Sequence, residues 1–307
     1  MEGHKPERRY LCIKGVACGV LAAICYGTNP LGALHLYQAG HSVETVLIYR
    51  FALGVCLLAG LMLLNGWRSG ISIRQNFAVT RRALCVLILL GFLFAGSAFG
   101  LFASFNYMDA GLASTLLFLY PLEVAIIMGV FFREKLNLRT AASIAISMVG
   151  LALLYRGGAG GGALSTMGLL LVFASSVSYA IYIVVVNRAG LQMGSLKLTF
   201  YAMLFCLMFI LICAIACGCG LPPVMHSVGE WMWAFMLGLV PTVLSLVFMA
   251  KAVKIVGSTP TAIMGALEPL TAVTIGVLVF DEVLTFRLAT GIVLILAAVT
   301  LIAIKRK

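Results

Sequence analysis

Charged side chains are scarce in this sequence of 307 residues. Only 10% of the residues are Asp, Glu, Lys or Arg, whereas 63% are hydrophobic and the mean hydropathy is +1.12. A soluble domain needs a polar surface to cover its core, and this composition cannot supply one. The scarcity of charge therefore excludes a soluble protein and indicates an integral membrane protein.

Acidic and histidine side chains are also few, with 10 Asp and Glu and only four His. Hydrolysis or acyl transfer needs a nucleophile with a base, or a metal ion with several ligands. The sequence contains neither a Gly-x-Ser-x-Gly motif nor a phosphate-binding loop, which disfavours a membrane enzyme and direct drive by ATP. Cys217 and Cys219 lie near His226, but a closed zinc site takes four ligands, so we predict no metal site and no cofactor.

Long apolar runs occupy most of the chain. A bilayer core about 30 Å thick is crossed by about 20 helical residues. Ten runs approach or exceed this length, and they lie near residues 15–37, 43–65, 83–105, 111–132, 139–156, 164–187, 195–217, 230–250, 257–280 and 286–304. The sequence therefore predicts an all-α integral membrane fold with ten transmembrane helices.

The positions of the basic residues predict the orientation of these spans. Lys and Arg number 21 against 10 Asp and Glu, an excess that would suggest nucleic-acid binding if it clustered on one folded surface. Instead, all but Arg50, Arg156 and Arg287 lie in the tails or in alternate connections, as the positive-inside rule predicts for cytoplasmic segments. We predict an inner-membrane protein with both termini in the cytoplasm, in contact with lipid and a small-molecule substrate and without nucleic acid.

Two proline-containing segments, "LYPLEV" and "ALEPLT", belong to an internal repeat. Equivalent residues are 148 positions apart, and the pairs are Pro121 and Pro269, Phe132 and Phe280, Glu134 and Glu282, and Arg139 and Arg287. Each half contains five predicted spans, an odd number, so the second copy enters the membrane from the opposite side. We predict two inverted five-helix repeats, residues 1–156 and 164–307, around a central cavity, with a glycine-rich linker at 157–163.

The order of these motifs resembles the drug/metabolite transporter superfamily, and within it the EamA-type exporters. The resemblance rests on "FREKL" and "FDEVL" after the fourth span of each half, "LEP" in the ninth span and "RF" in the second. It implies a basket of ten helices around a central cavity that moves amino acids, other small metabolites or drugs, usually outward. Glu123 departs from it, since members commonly lack a glutamate two residues after the first proline.

Three charged residues lie deep within the predicted spans. Glu123 and Glu268 are each about 17 to 18 Å from a span end. A carboxylate there costs about 2.5 to 3.5 kcal/mol, so it should face the interior, either protonated or paired. Both glutamates are candidates for proton coupling or for binding a substrate ammonium, with a helix–helix hydrogen bond as the structural alternative. Arg50 could pair with a glutamate, bind a carboxylate or phosphate, or extend outward to the interface.

Aromatic residues and prolines complete the predicted site. The residues that we expect to line the cavity with hydrogen-bonding rings and an amide, or else to pack, are Tyr26, Asn29, Tyr120, Tyr179 and Tyr182. Pro30, Pro121 and Pro269 are predicted helix kinks, since a broken helix near the midplane is typical of a transporter binding site. The small-residue segment 96–100 permits close helix approach, either within the chain or between two subunits. A homodimer is therefore one possible arrangement.

These features predict a secondary transporter that works by alternating access. Its substrate would be a small metabolite such as an amino acid or a related zwitterion or anion, with export implied by the resemblance and proton coupling through the glutamates as one option. The alternatives of the same fold are a multidrug transporter and a transporter of nucleotide sugars or phosphorylated metabolites. A channel fits less well with an inverted repeat whose spans carry isolated buried acids.

Overall fold

The computed structural model describes residues 5–70, 72–133, 138–155, 165–217, 222–257, 261 and 264–303, and this part of the chain contains helices and no strands. The helices of the first half are α1 (Lys5–Gly27), α2 (Asn29–Gln38), α3 (Val43–Arg68), α4 (Ile73–Phe77), α5 (Arg81–Ser104), α6 (Ala110–Leu117), α7 (Tyr120–Phe132) and α8 (Leu138–Tyr155). The second half contains α9 (Thr166–Arg188), α10 (Ser195–Ala216), α11 (Val228–Gly238), a π-helical segment (Leu239–Leu244), α12 (Ser245–Val256), α13 (Leu267–Val279) and α14 (Phe286–Ala303).

Seven helical runs of the described chain are long and apolar enough to cross a membrane. They are Ile13–Gln38, Val43–Arg68, Arg81–Ser104, Ala110–Phe132, Thr166–Arg188, Ser195–Ala216 and Val228–Val256, and three shorter apolar helices are Ala141–Leu153, Leu267–Val279 and Phe286–Ala298. The all-α, multi-pass part of the prediction is therefore confirmed. The predicted linker at 157–163, together with Glu134, Arg156 and Cys219, lies outside the described residues.

The apolar runs that contain proline are interrupted rather than continuous. Pro30 and Pro121 lie in the first turns of α2 and α7, which follow breaks at Thr28 and at Phe118–Leu119. Pro269 lies in the first turn of α13, after a turn at Gly265–Ala266. Because proline lacks an N–H, the first turn of a helix is where it sacrifices no hydrogen bond. Each proline therefore starts a new helix, and the break before it leaves backbone groups available near the middle of the run.

The core forms between helices from the two halves of the chain. α1 packs against α12, α3 against α10, α5 against α9 and α10, and α8 against α14. Gly91 and Gly100 allow α5 to approach closely, since a Cβ at Gly91 would lie 2.9 Å from the Cys206 nitrogen and one at Gly100 2.7 Å from the Leu171 oxygen. Gly100, at the end of segment 96–100, thus contacts α9 of the same chain. This contact does not test the predicted homodimer.

Candidate functional site

The three breaks before prolines border one central cavity of about 140 Å³. Tyr26, Asn29, Tyr120, Tyr179 and Glu268, all predicted from the sequence, line it together with Pro269. Helix approach at this point depends on Gly27, because a Cβ there would lie 2.6 Å from the Glu268 carbonyl oxygen. The sequence-predicted residues of five different helices therefore converge where the helical ladders are interrupted.

Asn29 presents an unused hydrogen-bond acceptor at this cavity. Its Nδ2 donates to the carbonyl oxygen of Tyr26 at 2.8 Å, which uses a backbone group freed by the break at Thr28. Its Oδ1 is buried and has no partner among the described residues, although the residue is only 3% exposed. A buried polar atom without a partner costs about 1 to 3 kcal/mol. The Asn29 Oδ1 atom is therefore available to accept a hydrogen bond from a ligand in the cavity.

Glu268 is a second acceptor at the same cavity. It is the second residue of α13, and its backbone N–H donates to the Gly265 carbonyl at 2.9 Å. Within the described chain, no basic side chain forms an ion pair with its carboxyl group. Glu268 and Asn29 thus give the cavity an acceptor-rich wall suited to an ammonium group.

Arg50 lies in an adjoining cavity of about 70 Å³, which shares Tyr26 and Tyr179 with the first. The arginine is only 3% exposed, and its Nε donates to Thr242 Oγ1 at 3.1 Å. Its Cζ lies 5.2 and 5.0 Å from the ring centroids of Phe51 and Phe102, close enough for cation–π stabilisation. No carboxylate of the described residues lies within ion-pair distance of Arg50. The guanidinium is therefore oriented by uncharged groups and left available to an anion.

Thr242 owes its position to the π-helical segment that contains Pro241. Proline supplies no N–H, and the wider turn lets Thr242 Oγ1 donate to the Leu237 carbonyl at 2.9 Å, five residues back. The same hydroxyl accepts the hydrogen bond from Arg50. Sequence reasoning missed Thr242 and the cavity-lining Ser245. The proline-threonine pair inside an apolar run was the signal that could have indicated them.

The tyrosines form a wall between the two cavities. Tyr179 makes an edge contact with Tyr120 at a centroid distance of 4.7 Å and stacks on Tyr182 at 5.7 Å with an interplanar angle of 5°. Phe94 of α5 lies 5.6 Å from Tyr182. Tyr26 lines both cavities from the opposite helix, α1. A substrate that reached from Arg50 to Glu268 would therefore pass along aromatic rings.

Glu123 is the predicted site residue that the structure does not bring to the central cavity. It lines a separate pocket of about 250 Å³ bordered by α7, α8 and α9. Ser176 Oγ of α9 donates to Glu123 Oε2 at 2.6 Å. The nearby Pro121 does not line the central cavity either, and Pro30 is buried at the start of α2.

A third acid joins the two halves at one end of the bundle. Glu282 Oε1 accepts from the Ala110 N–H at 2.8 Å and Oε2 from the Gly111 N–H at 3.3 Å, so it caps α6 from the loop after α13. Burial raises the pKa of Glu282, an effect that these two hydrogen bonds oppose and that neighbouring Asp109 reinforces. The sequence repeat aligns Glu282 with Glu134, but it does not predict that Glu282 caps a helix.

Comparison with known proteins identifies the family. The model of the EamA-like transporter family matches residues 13–156 and 166–304. The chain belongs to this family. The resemblance to the EamA-type branch of the drug/metabolite transporter superfamily is therefore confirmed, and the protein is a membrane transporter.

Two curated relatives and one solved structure are similar to this chain. An uncharacterized transporter of Archaeoglobus fulgidus is 28% identical over 220 residues, which cover 71% of this chain and 75% of that protein. An uncharacterized transporter of Bacillus subtilis, YvbV, is 24% identical over 207 residues, or 66% of each chain. One crystal structure matches with a TM-score of 0.65 at 17% identity, covering 94% of this chain and 97% of the other, which shows a shared fold.

Proposed function

We propose that this EamA-family transporter has ten spans in two inverted halves that alternate access to the central cavity. Seven long and three shorter apolar helices supply ten candidate spans, and the family model matches once in each half. Arg133 and Asp281, at φ 54° and 55°, are the only non-glycine residues of the described chain with positive φ, and they are 148 positions apart. This spacing equals the offset of the sequence repeat and supports equivalent helix ends in the two halves.

The distribution of Lys and Arg supports an inner-membrane orientation with both termini in the cytoplasm. In this orientation, the α6 cap formed by Glu282 lies at the external end of the bundle. Family resemblance supports export, so the substrate would enter the cavity from the cytoplasm and leave at the external end, where Glu282 caps α6.

The substrate that fits the cavity best is a small zwitterion such as an amino acid. The observation that carries this proposal is the buried Arg50 guanidinium, which has no carboxylate partner among the described residues and so calls for an anionic group. Glu268 and the unpartnered Oδ1 of Asn29 offer acceptors for an ammonium group across the tyrosine wall. Charge-assisted hydrogen bonds at both ends would fix the orientation of the bound molecule.

Glu268 gives the transporter a means of proton coupling. A carboxyl group at this depth is either neutral or paired with a cation, so it binds a proton when the ammonium leaves and releases the proton when the ammonium returns. Because one carboxylate serves both cations, substrate and proton occupy it in alternation. Export of substrate would then be accompanied by proton movement in the opposite direction.

Counterflow into proteoliposomes tests this function. Vesicles loaded with an unlabelled mixture of amino acids would be diluted into single labelled compounds, and zwitterions are expected to accumulate ahead of matched amines lacking the carboxylate. Arg50→Gln should remove this preference, because the neutral amide loses the charge that selects the carboxylate. Preferential uptake of hydrophobic cations would support the multidrug alternative instead, and single-channel conductance without counterflow would overturn alternating access.

A further inference from the structure

The pocket at Glu123 is separate from the central site. None of the residues that line this pocket also lines either of the two central cavities. All of them lie on α7 or on segments next to it. The pocket of about 250 Å³ is lined by apolar side chains apart from Glu123, Ser147 and Ser176. The pocket is therefore a largely hydrocarbon surface that carries three polar side chains.

This pocket opens toward the lipid rather than toward water. Met148 of α8 and Leu170 and Phe173 of α9 line it, with exposed fractions of 58%, 60% and 59%. On apolar helices that span a bilayer, exposed side chains of this kind contact acyl chains. A ligand would therefore reach the pocket from within the bilayer, which requires an apolar body.

The carboxyl group of Glu123 has room for a second partner. Ser176 Oγ, in a residue that is 1% exposed, donates the one hydrogen bond that Glu123 receives from the described residues. No Lys, Arg or His among those residues lines the pocket or pairs with Glu123. The acyl chains outside offer no donor, so only a ligand that carries one can complete the site.

We propose that this lateral pocket binds small lipophilic amines that arrive through the bilayer. The ammonium group binds Glu123, and the alkyl or aryl body lies against the surface formed by Met148, Leu170 and Phe173. A carboxylate-bearing ligand is repelled, and an alcohol gains a hydrogen bond without the charge attraction, which is strong in a medium of low dielectric constant. The volume is below the roughly 300 to 1,000 Å³ of drug-sized sites, so the ligand is small.

A matched pair of fluorinated probes tests the proposal. 4-(Trifluoromethyl)benzylamine and 4-(trifluoromethyl)benzyl alcohol have the same ring, and only the amine carries a positive charge near neutral pH. Their binding would be followed by fluorine NMR with the protein in nanodiscs, and empty nanodiscs would correct for partition into lipid. The amine should bind saturably and at least tenfold more tightly than the alcohol.

Three variants separate binding from a structural role. Glu123→Gln keeps an acceptor for Ser176 but removes the charge, so the tenfold preference for the amine should disappear. Leu170→Trp fills the pocket from its lipid-exposed side, where folding is least affected, and should weaken both probes. Glu268→Gln leaves the lateral pocket intact and should keep the preference, so failure of the central-site proposal would not alter this result.

Two outcomes would overturn the lateral site. Equal binding of amine and alcohol by the wild-type protein would show that Glu123 does not attract a cation. Full retention of the amine preference in Glu123→Gln, together with unchanged binding of both probes by Leu170→Trp, would place the bound amine elsewhere. In either case Glu123 and Ser176 would serve only as a hydrogen bond between α7 and α9.

Discussion

Glu268 and Glu123 lie beside equivalent prolines, yet they line different cavities. Glu268 lines the central cavity with Asn29 and the tyrosines, whereas Glu123 meets Ser176 at the lipid-facing pocket. Three positions along a helix amount to about 300° of rotation, so the two glutamates start from nearly the same face, only about 60° apart, and the helices packed around each one decide which cavity it lines. A carboxylate near a proline is therefore not assigned to the transport pathway by its depth alone.

The 148-residue offset explains what replaces each glutamate in the other half. Glu268 is equivalent to Tyr120, and both line the central cavity. Glu123 is equivalent to Thr271, which packs closely on α1, since a Cβ at Gly27 would lie 2.6 Å from the Thr271 Cβ. At the position equivalent to Glu123, the second half therefore has a close contact between the small residues Gly27 and Thr271, whereas the first half has the lateral pocket.

The strongest test of this comparison exchanges the two carboxylates for amides. Glu268→Gln should reduce counterflow of the zwitterionic substrate about 10- to 100-fold, since charge-assisted hydrogen bonds contribute about 1.5 to 3 kcal/mol. Glu123→Gln should leave this counterflow within about twofold, because its pocket shares no residue with the central cavities. Equal losses in the two variants, at equal protein content of the vesicles, would contradict the division into two sites.

A second test fills the close contact in the second half. Gly27→Ala would push a methyl group against the Glu268 carbonyl and Thr271, and overpacking of this kind costs about 1 to 3 kcal/mol. Gly60→Ala is the matched control in α3, since a Cβ there meets nothing within 4 Å. We expect thermal unfolding in detergent to occur at lower temperature for Gly27→Ala only. Equal behaviour of both variants would show that the close approach of α1 and α13 does not limit stability.

Much of this arrangement could be predicted from the sequence. Apolar runs located the seven helical runs that are long enough to cross a membrane, and Tyr120, Glu268 and Pro269, singled out from the proline segments, line one cavity. The cavity that Glu123 lines could not be predicted, because Glu123 lies only about 60° around α7 from Tyr120, and the packing of α8 and α9 against α7 decides which cavity each side chain enters. The hydrogen bond from Arg50 to Thr242 could not be predicted either, because Thr242 lies in a π-helical segment. Such a segment adds a residue to the turn, so positions counted at about 3.6 residues per turn are wrong there.

The third acid, Glu282, predicts a dependence of stability on pH. Its pKa is raised in the folded protein because of burial, so its contribution to stability is full below the ordinary carboxyl pKa and is lost as pH rises through the folded value. Burial also raises the pKa of Asp109, which acts in the same direction. We expect the unfolding temperature of the wild type to fall more steeply than that of Glu282→Gln as the pH rises above the ordinary carboxyl pKa of about 4.3. Parallel pH profiles would show that the cap makes no titrating contribution.

The smallest expected effect concerns Thr242, which holds Arg50 but would not touch the substrate. Thr242→Val preserves the shape of the side chain and removes the acceptor for Arg50 Nε, a loss of about 0.5 to 1.5 kcal/mol that corresponds to a two- to tenfold rise in KM. Thr274→Val is the matched control, since that hydroxyl donates only to the Leu270 carbonyl of its own helix, α13. A rise in KM for zwitterions but not for amines without a carboxylate would show that Thr242 acts through the guanidinium. An equal change for both ligand classes would instead mean that the π-helical segment shapes the cavity as a whole, independently of Arg50.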